Sequence, residues 1–198
     1  MQKKVNVVVF DFDGTLSASD SNFEFGCWCF KHCPQTWFYL PMVGFFSLFR
    51  KCPPDGIWWR QGMRRFITKK MVHDLVPNFV KWHKKNRFGW ALEQVEKEKK
   101  AGNIVILISA SPKHLIKPLV SDMKFDVILP SETYSDKPWK YKFLCYGKNK
   151  VVALDKWAQK NKYIPHVVRS YSDSKSDMPL MKIADEQVWI DRKTGLRK

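Results

Sequence analysis

The chain of 198 residues is 44% hydrophobic and 15% aromatic, which excludes a disordered or linker-like protein and suits one well-cored unit with a substantial insertion. It contains no repeat or low-complexity tract, which excludes a solenoid. Its formal charge of +16 is shared evenly between the two halves rather than held in a tail. Such a diffuse field favours phosphorylated small molecules, acidic lipid surfaces or nonspecific nucleic acid, without choosing among them.

Lys3 and Lys4 precede an apolar, β-branched run at residues 5–10 that stops at Asp11 and Asp13. The run is too short for the core of a signal peptide. It has the pattern of a strand covered on both faces, as in parallel α/β sheets. A cytoplasmic protein is expected, with a peripheral position at the inner face of the membrane left open.

Residues 17–100 show helical periodicity and many aromatics, broken at Pro34, Pro41, Pro53 and Pro54. The stretch is far longer than a crossover helix and reads as a helical cap inserted after the first strand. Within it, Cys27, Cys29, His32 and Cys33 lack a paired C-x-x-C knuckle and read as buried thiols rather than a zinc site. With Cys52 and Cys145 they make an odd set that fits reduced thiols.

Residues 37–49 are almost wholly apolar, and too short to span ~30 Å of hydrocarbon as a helix. They fit either an interfacial segment dipping into lipid or a core helix of the cap. Further on, Trp58 and Trp59 interleave with Arg60, Arg64, Arg65, Lys69 and Lys70. This pattern fits either an anchor at acidic head groups or an amphipathic helix with a solvated basic face.

After residue 100 the chain alternates. Strand-like runs lie at 104–108, 127–129 and 167–171, helical patterns at 113–120 and 151–160, and a small hairpin is expected around Asp136, Lys137 and Pro138. The predicted fold is α/β, a Rossmann-like parallel sheet from residues 1–16 and 101–198, with a cap formed by 17–100.

Asp11 and Asp13 follow the first strand directly, and Gly14 marks a turn that can bring both around one site. A second pair, Asp173 and Asp177, follows the fourth apolar run. In a parallel sheet the two pairs meet at one edge. Carboxylates so close stay ionised most easily around a cation, and oxygen-only ligands select a hard ion such as Mg²⁺. Each pair alone also fits a solvated turn. Phosphate additionally needs donors and positive charge. Ser109 can offer a hydroxyl where the second run meets a helix, Ser111 fits the N-cap, and Lys150 opens the helix of residues 151–160.

These pieces in this order resemble the haloacid dehalogenase superfamily, in its phosphoserine-phosphatase-like branch. The segment from Asp11 to Leu16 is similar to the first motif, Ile108 to Pro112 to the second, Cys145 to Leu154 with Lys150 to the third, and Tyr171 to Leu180 to the fourth. The resemblance implies a phosphatase in which Asp11 is the nucleophile and Asp13 the general acid and base. It implies Mg²⁺ held by Asp11, the Asp13 carbonyl and Asp173, with Asp177 and Asp20 in support. Ser109 and Lys150, with Gly14 and Thr15 of the first motif, would bind the phosphoryl group.

Phosphoserine phosphatases carry Glu where this chain has Asp20. Asp20, the Tyr-Ser-Asp-Ser stretch and the apolar cap look more like bacterial phosphatases of phosphatidylglycerophosphate. The expected partner is therefore a phosphorylated lipid or small molecule, with peripheral membrane contact through the cap and no specific nucleic acid. A phosphatase of a soluble metabolite is the rival. A nonenzymatic basic binding module is a further one, disfavoured because unmetallated carboxylates would repel phosphate.

Overall fold

The computed structural model describes residues 2–48 and 57–198; Cys52, Pro53, Pro54 and the end of the 37–49 run at Phe49 lie outside them. Strand β1 (Lys3–Phe10) is followed by helices α1 (Ser21–His32), α2 (Leu40–Leu48), α3 (Ile57–Met63), α4 (Lys69–His83) and α5 (Ala91–Lys100), with a 3-10 helix at Pro34–Tyr39. Then come β2 (Ile104–Pro112), α6 (Lys113–Leu119), β3 (Val127–Thr133), β4 (Tyr141–Phe143), α7 (Asn149–Lys160), β5 (Tyr163–Ser172), α8 (Met178–Met181) and β6 (Glu186–Trp189).

One six-stranded sheet runs β4-β3-β2-β1-β5-β6. Every pairing is parallel except β3 with β4, the expected small hairpin, which aligns Glu132 with Phe143. The chain leaves β1 toward β2 on one side and returns to β5 on the other. The strand order therefore reverses beside β1, where open α/β sheets bind ligands.

Alternation along β1 explains why its buried half, residues 7–10, is apolar at every position. Val8 and Phe10 enter one core cluster with Phe25 of α1, Phe79 of α4, Val95 of α5 and Leu115 of α6. Val7 and Val9 enter the other with Ala153 and Leu154 of α7 and Leu180 of α8. Successive side chains of a strand point to opposite faces, so helices on both sides require two apolar sets.

Helix α5 lies inside the range expected for the cap, yet it packs on β2. Its Gln94 donates to the Tyr171 hydroxyl (2.9 Å), which in turn donates to Glu98 (2.9 Å). Strand β6 was not anticipated, because four residues of which only Val188 is fully buried give no periodic signal.

Helix α1 begins at Asp20, whose side chain accepts from the Phe23 amide (2.9 Å), an N-cap that supplies an acceptor to an otherwise unpaired donor. Helices α2 and α3 pack where Gly62 leaves room for the Phe46 ring; a Cβ at Gly62 would overlap it. Val43 of α2 packs against the core cluster, and the rest of the helix is at most partly buried. None of its nine residues is buried, so the reading of 37–49 as a core helix does not hold for the described part of that run.

Candidate active site

Asp11 continues the line of β1, its amide donating to the Tyr171 carbonyl (3.0 Å). Its side chain turns inward, and its Oδ1 lies 2.8 Å from Lys150 Nζ. Lys150, 2% exposed, also donates to Asp177 Oδ2 at 2.7 Å. Asp177 is fixed from a second direction by the Ser172 hydroxyl (2.7 Å). Lys150 is the second residue of α7, so the helix start delivers the ammonium to the sheet edge beside Asp11.

Burial works against the charged form of Lys150, but the Asp11 and Asp177 carboxylates outweigh it and hold its pKa above that of an ordinary lysine. For Asp11, burial wins over the attraction of Lys150, and its pKa stands well above the usual carboxylate range. Burial likewise raises Asp173, against the opposing pull of Arg192, whose Nε is 3.9 Å away. The cluster is thus short of positive charge. Asp11 Oδ2 accepts no hydrogen bond among the described residues.

Asp173 is seated by the turn after β1. Its amide donates to Thr15 Oγ1 (3.0 Å), and the Thr15 hydroxyl faces its Oδ1 at 3.4 Å. Gly14 has φ +82°, and a Cβ there would overlap the Asp173 carboxylate. Both the backbone conformation and the close approach demand glycine. The Gly14 and Thr15 amides donate within the turn, to Ser17 and Phe12 oxygens, and neither residue lines the cavity. Their observed part is to hold Asp173.

Asp13 Oδ1 accepts from the Ser21 amide (2.7 Å) and its Oδ2 from the Ser111 hydroxyl (2.6 Å). The two serine hydroxyls meet at 2.9 Å. Burial, with the Asp20 charge adding to it, pushes Asp13 up to about 6 against these hydrogen bonds. A carboxyl poised there can give and take a proton near neutral pH.

Two expectations for β2 change. Ser109 is fully buried, its hydroxyl accepting from the Ser111 amide (3.0 Å); Ala110 and Ser111 are the residues of β2 that reach the cavity. Ser111 is not an N-cap: α6 is capped at Pro112 without a side-chain bond, and the Ser111 hydroxyl serves Asp13 instead.

The cavity, about 290 Å³, is bordered by Asp11, Asp13, Lys150, Asp173 and Asp177, and also by Arg60 and Asn22 of the cap region. Arg60 lies over the rings of Trp59 (4.8 Å) and Tyr146 (4.9 Å), bridging cap and core, and its Nε has no partner among the described residues. Arg64, 5% exposed, donates to the Tyr141 hydroxyl (2.6 Å). Neither belongs to a solvated basic face; Arg65, Lys69 and Lys70 are exposed. Helical spacing places these cations on faces but does not say which face meets the core.

Among the described residues, no three His, Cys, Asp or Glu side chains cluster as a metal site. The donor set nevertheless fits a hard cation: Asp11 and Asp173, two carboxylates short of positive charge, and Asp13 border one cavity and offer only oxygen. The four described cysteines are free, and only Cys29 and Cys145 are buried.

The family model for haloacid dehalogenase-like hydrolases matches residues 8–182. A probable phosphatase of Mycobacterium tuberculosis is 25% identical over 146 residues, 71% of this chain and 47% of that protein. The chain thus spans about half the length of the curated relatives it matches. Among solved structures, a Bordetella pertussis protein of unknown function superposes with a TM-score of 0.77 at 13% identity, covering 95% and 91% of the two chains. A phosphoserine phosphohydrolase-like protein of Francisella tularensis gives 0.65 at 17% (94% and 87%), and an apo phosphoserine phosphatase 0.62 at 14% (96% and 86%). These likenesses establish the fold, and the match across residues 8–182, which spans both acidic pairs and Lys150, establishes the family. The chain belongs to the haloacid dehalogenase-like hydrolases.

Proposed function

We propose that the protein is a Mg²⁺-dependent phosphomonoester hydrolase that acts through an aspartyl-phosphate on Asp11, with a lipid-linked phosphate such as phosphatidylglycerophosphate as substrate. The observation that carries the reaction class is the pairing at the end of β1. Asp11 has one oxygen on Lys150 and one without a donor among the described residues, while Asp13 is held by Ser21 and Ser111 at the same cavity.

Asp11 Oδ2 attacks phosphorus and the bond to the leaving oxygen breaks, with protonated Asp13 giving that oxygen its proton. Asp13 then takes a proton from water as the water oxygen attacks phosphorus, which frees inorganic phosphate and restores Asp11. Lys150 offsets charge on Asp11 and on the transferring group. Asp11, Asp173 and the Asp13 carbonyl would hold Mg²⁺, which when bound supplies the missing positive charge beside the phosphoryl oxygens.

Arg60 supports a substrate with a second anionic group. It borders the cavity on the cap side, lies over two aromatic rings, and has an Nε without a partner among the described residues. A phosphodiester next to the scissile monoester suits it.

The test is phosphate release with magnesium and with chelator, from phosphatidylglycerophosphate in mixed micelles beside soluble phosphomonoesters such as phosphoserine and phosphocholine. Preference for the lipid is expected, with Asp11→Asn inactive throughout. Activity confined to soluble esters would overturn the lipid reading alone, whereas no magnesium- and Asp11-dependent release would overturn the reaction class.

A further inference from the structure

The outer side of the cap carries a concentration of apolar surface that the catalytic reading leaves unexplained. Phe38 is 90% exposed, Leu48 78% and Trp37 60%, and Tyr39, Leu40, Phe45, Ile57 and Trp58 are each more than a third exposed. These residues belong to one structural unit: the 3-10 helix at Pro34–Tyr39 runs directly into α2, which packs on α3 through Phe46 and Gly62. An exposed apolar surface of this kind marks a contact with something else.

Charge points to the occupant. From Phe25 to His73 the chain holds eight Lys and Arg but a single acid, Asp55. Lys31, Arg65, Lys69 and Lys70 are exposed on the elements that flank α2 and α3. Aromatic and aliphatic side chains flanked by cations, without acids, match an interface of acyl chains beneath anionic head groups. No described helix is long and apolar enough to cross a membrane, and α2 at nine residues is suited to lying in the interface plane.

Helix α3 joins this surface to the reaction. Its start, Ile57 and Trp58, is part of the exposed set, and Arg60, within the next turn, borders the catalytic cavity. We infer that the side of the cap formed by the 3-10 helix, α2 and the start of α3 docks on bilayers carrying anionic lipid, and that α3 thereby holds the cavity next to the lipid surface. The docking rests on the surface alone and does not require the phosphatase reading, since it is measured without turnover.

The experiment is co-sedimentation of the full chain with vesicles of phosphatidylglycerol and phosphatidylcholine, or of phosphatidylcholine alone, over a series of salt concentrations. Sedimentation velocity and urea unfolding run alongside. The wild type is expected to bind the anionic vesicles, more weakly at high salt and on neutral vesicles. The double variant F38S/L48S, altered only at exposed positions, is expected to unfold at the same urea concentration and to lose about 100-fold in affinity, given the transfer free energy of two large apolar side chains. A wild type that stays in the supernatant, or a variant that binds equally well, would overturn the proposal. A wild-type dimer that F38S/L48S dissociates would overturn it too, by assigning the surface to a second copy of the chain.

Discussion

At the carboxyl edge of the sheet, polar groups are held in place by named partners: Lys150 by Asp11 and Asp177, Asp13 by Ser21 and Ser111, Asp173 by Thr15. On the outer side of the cap, α2 is apolar yet buries no residue. Low-dielectric surroundings make each polar contact at the first region consequential, because losing one partner strands another charge. At the second, the most exposed side chains, such as Phe38 and Leu48, can be exchanged with little effect on folding, because water already surrounds them. The contrast separates a region whose residues serve the interior from one whose residues face outward.

Lys150→Met should sharpen this contrast most. It leaves Asp11 and Asp177 buried without their cation, a change that costs about 3–5 kcal/mol and abolishes turnover. Urea unfolding near neutral pH should show the loss. The deficit should narrow as pH falls, because protonating the stranded carboxylates removes their unpaired charge.

Gly14→Ala comes next. Its φ of +82° costs a side-chain-bearing residue roughly 1–2 kcal/mol, and the new Cβ must displace Asp173. Magnesium should therefore bind the variant more weakly, which a titration followed by calorimetry reads directly; unchanged affinity would separate Asp173 from the metal.

A pH effect follows from Asp13, raised from 3.8 to about 6. Between those values the metal-free native state binds more protons than the unfolded chain, so this group's contribution to stability is present below 3.8 and is lost as pH rises through 6. Asp11 and Asp173 are raised in the same direction. Magnesium favours the ionised cluster, so it should raise Tm more at about pH 7.5 than at about pH 5. An equal rise at both would place the ion elsewhere.

The smallest effect belongs to the cap: Leu48→Ser should change stability by less than about 0.5 kcal/mol. A large loss would mean that α2 is packed, and would remove the contrast.

The strands β1 and β2 were legible because a strand covered on both faces buries apolar side chains at consecutive positions, as residues 7–10 and 105–108 do; β5 was read from Val167, Val168 and Tyr171 around Arg169 and Ser170. The acidic pairs were legible because each follows such a run directly. Ser111 and Ser109 exchanged emphasis because the sequence gives their order but not which hydroxyl crosses to β1. Arg60 and Arg64 were seen only as charges on a helix, since their inward direction depends on how the cap meets Tyr141 and Tyr146. Helix α5 was assigned with the cap because its periodicity is that of any amphipathic helix; its docking on β2 is a tertiary fact.

The central claim is that Asp11 carries the phosphoryl group, and the most direct measurement is acid quench of the enzyme during turnover of a phosphomonoester with labelled phosphate, followed by peptide mapping. The account predicts alkali-labile label on the peptide containing Asp11, dependent on magnesium and absent from Asp11→Asn. Label on another residue, or magnesium-dependent phosphate release that persists in Asp11→Asn, would contradict it.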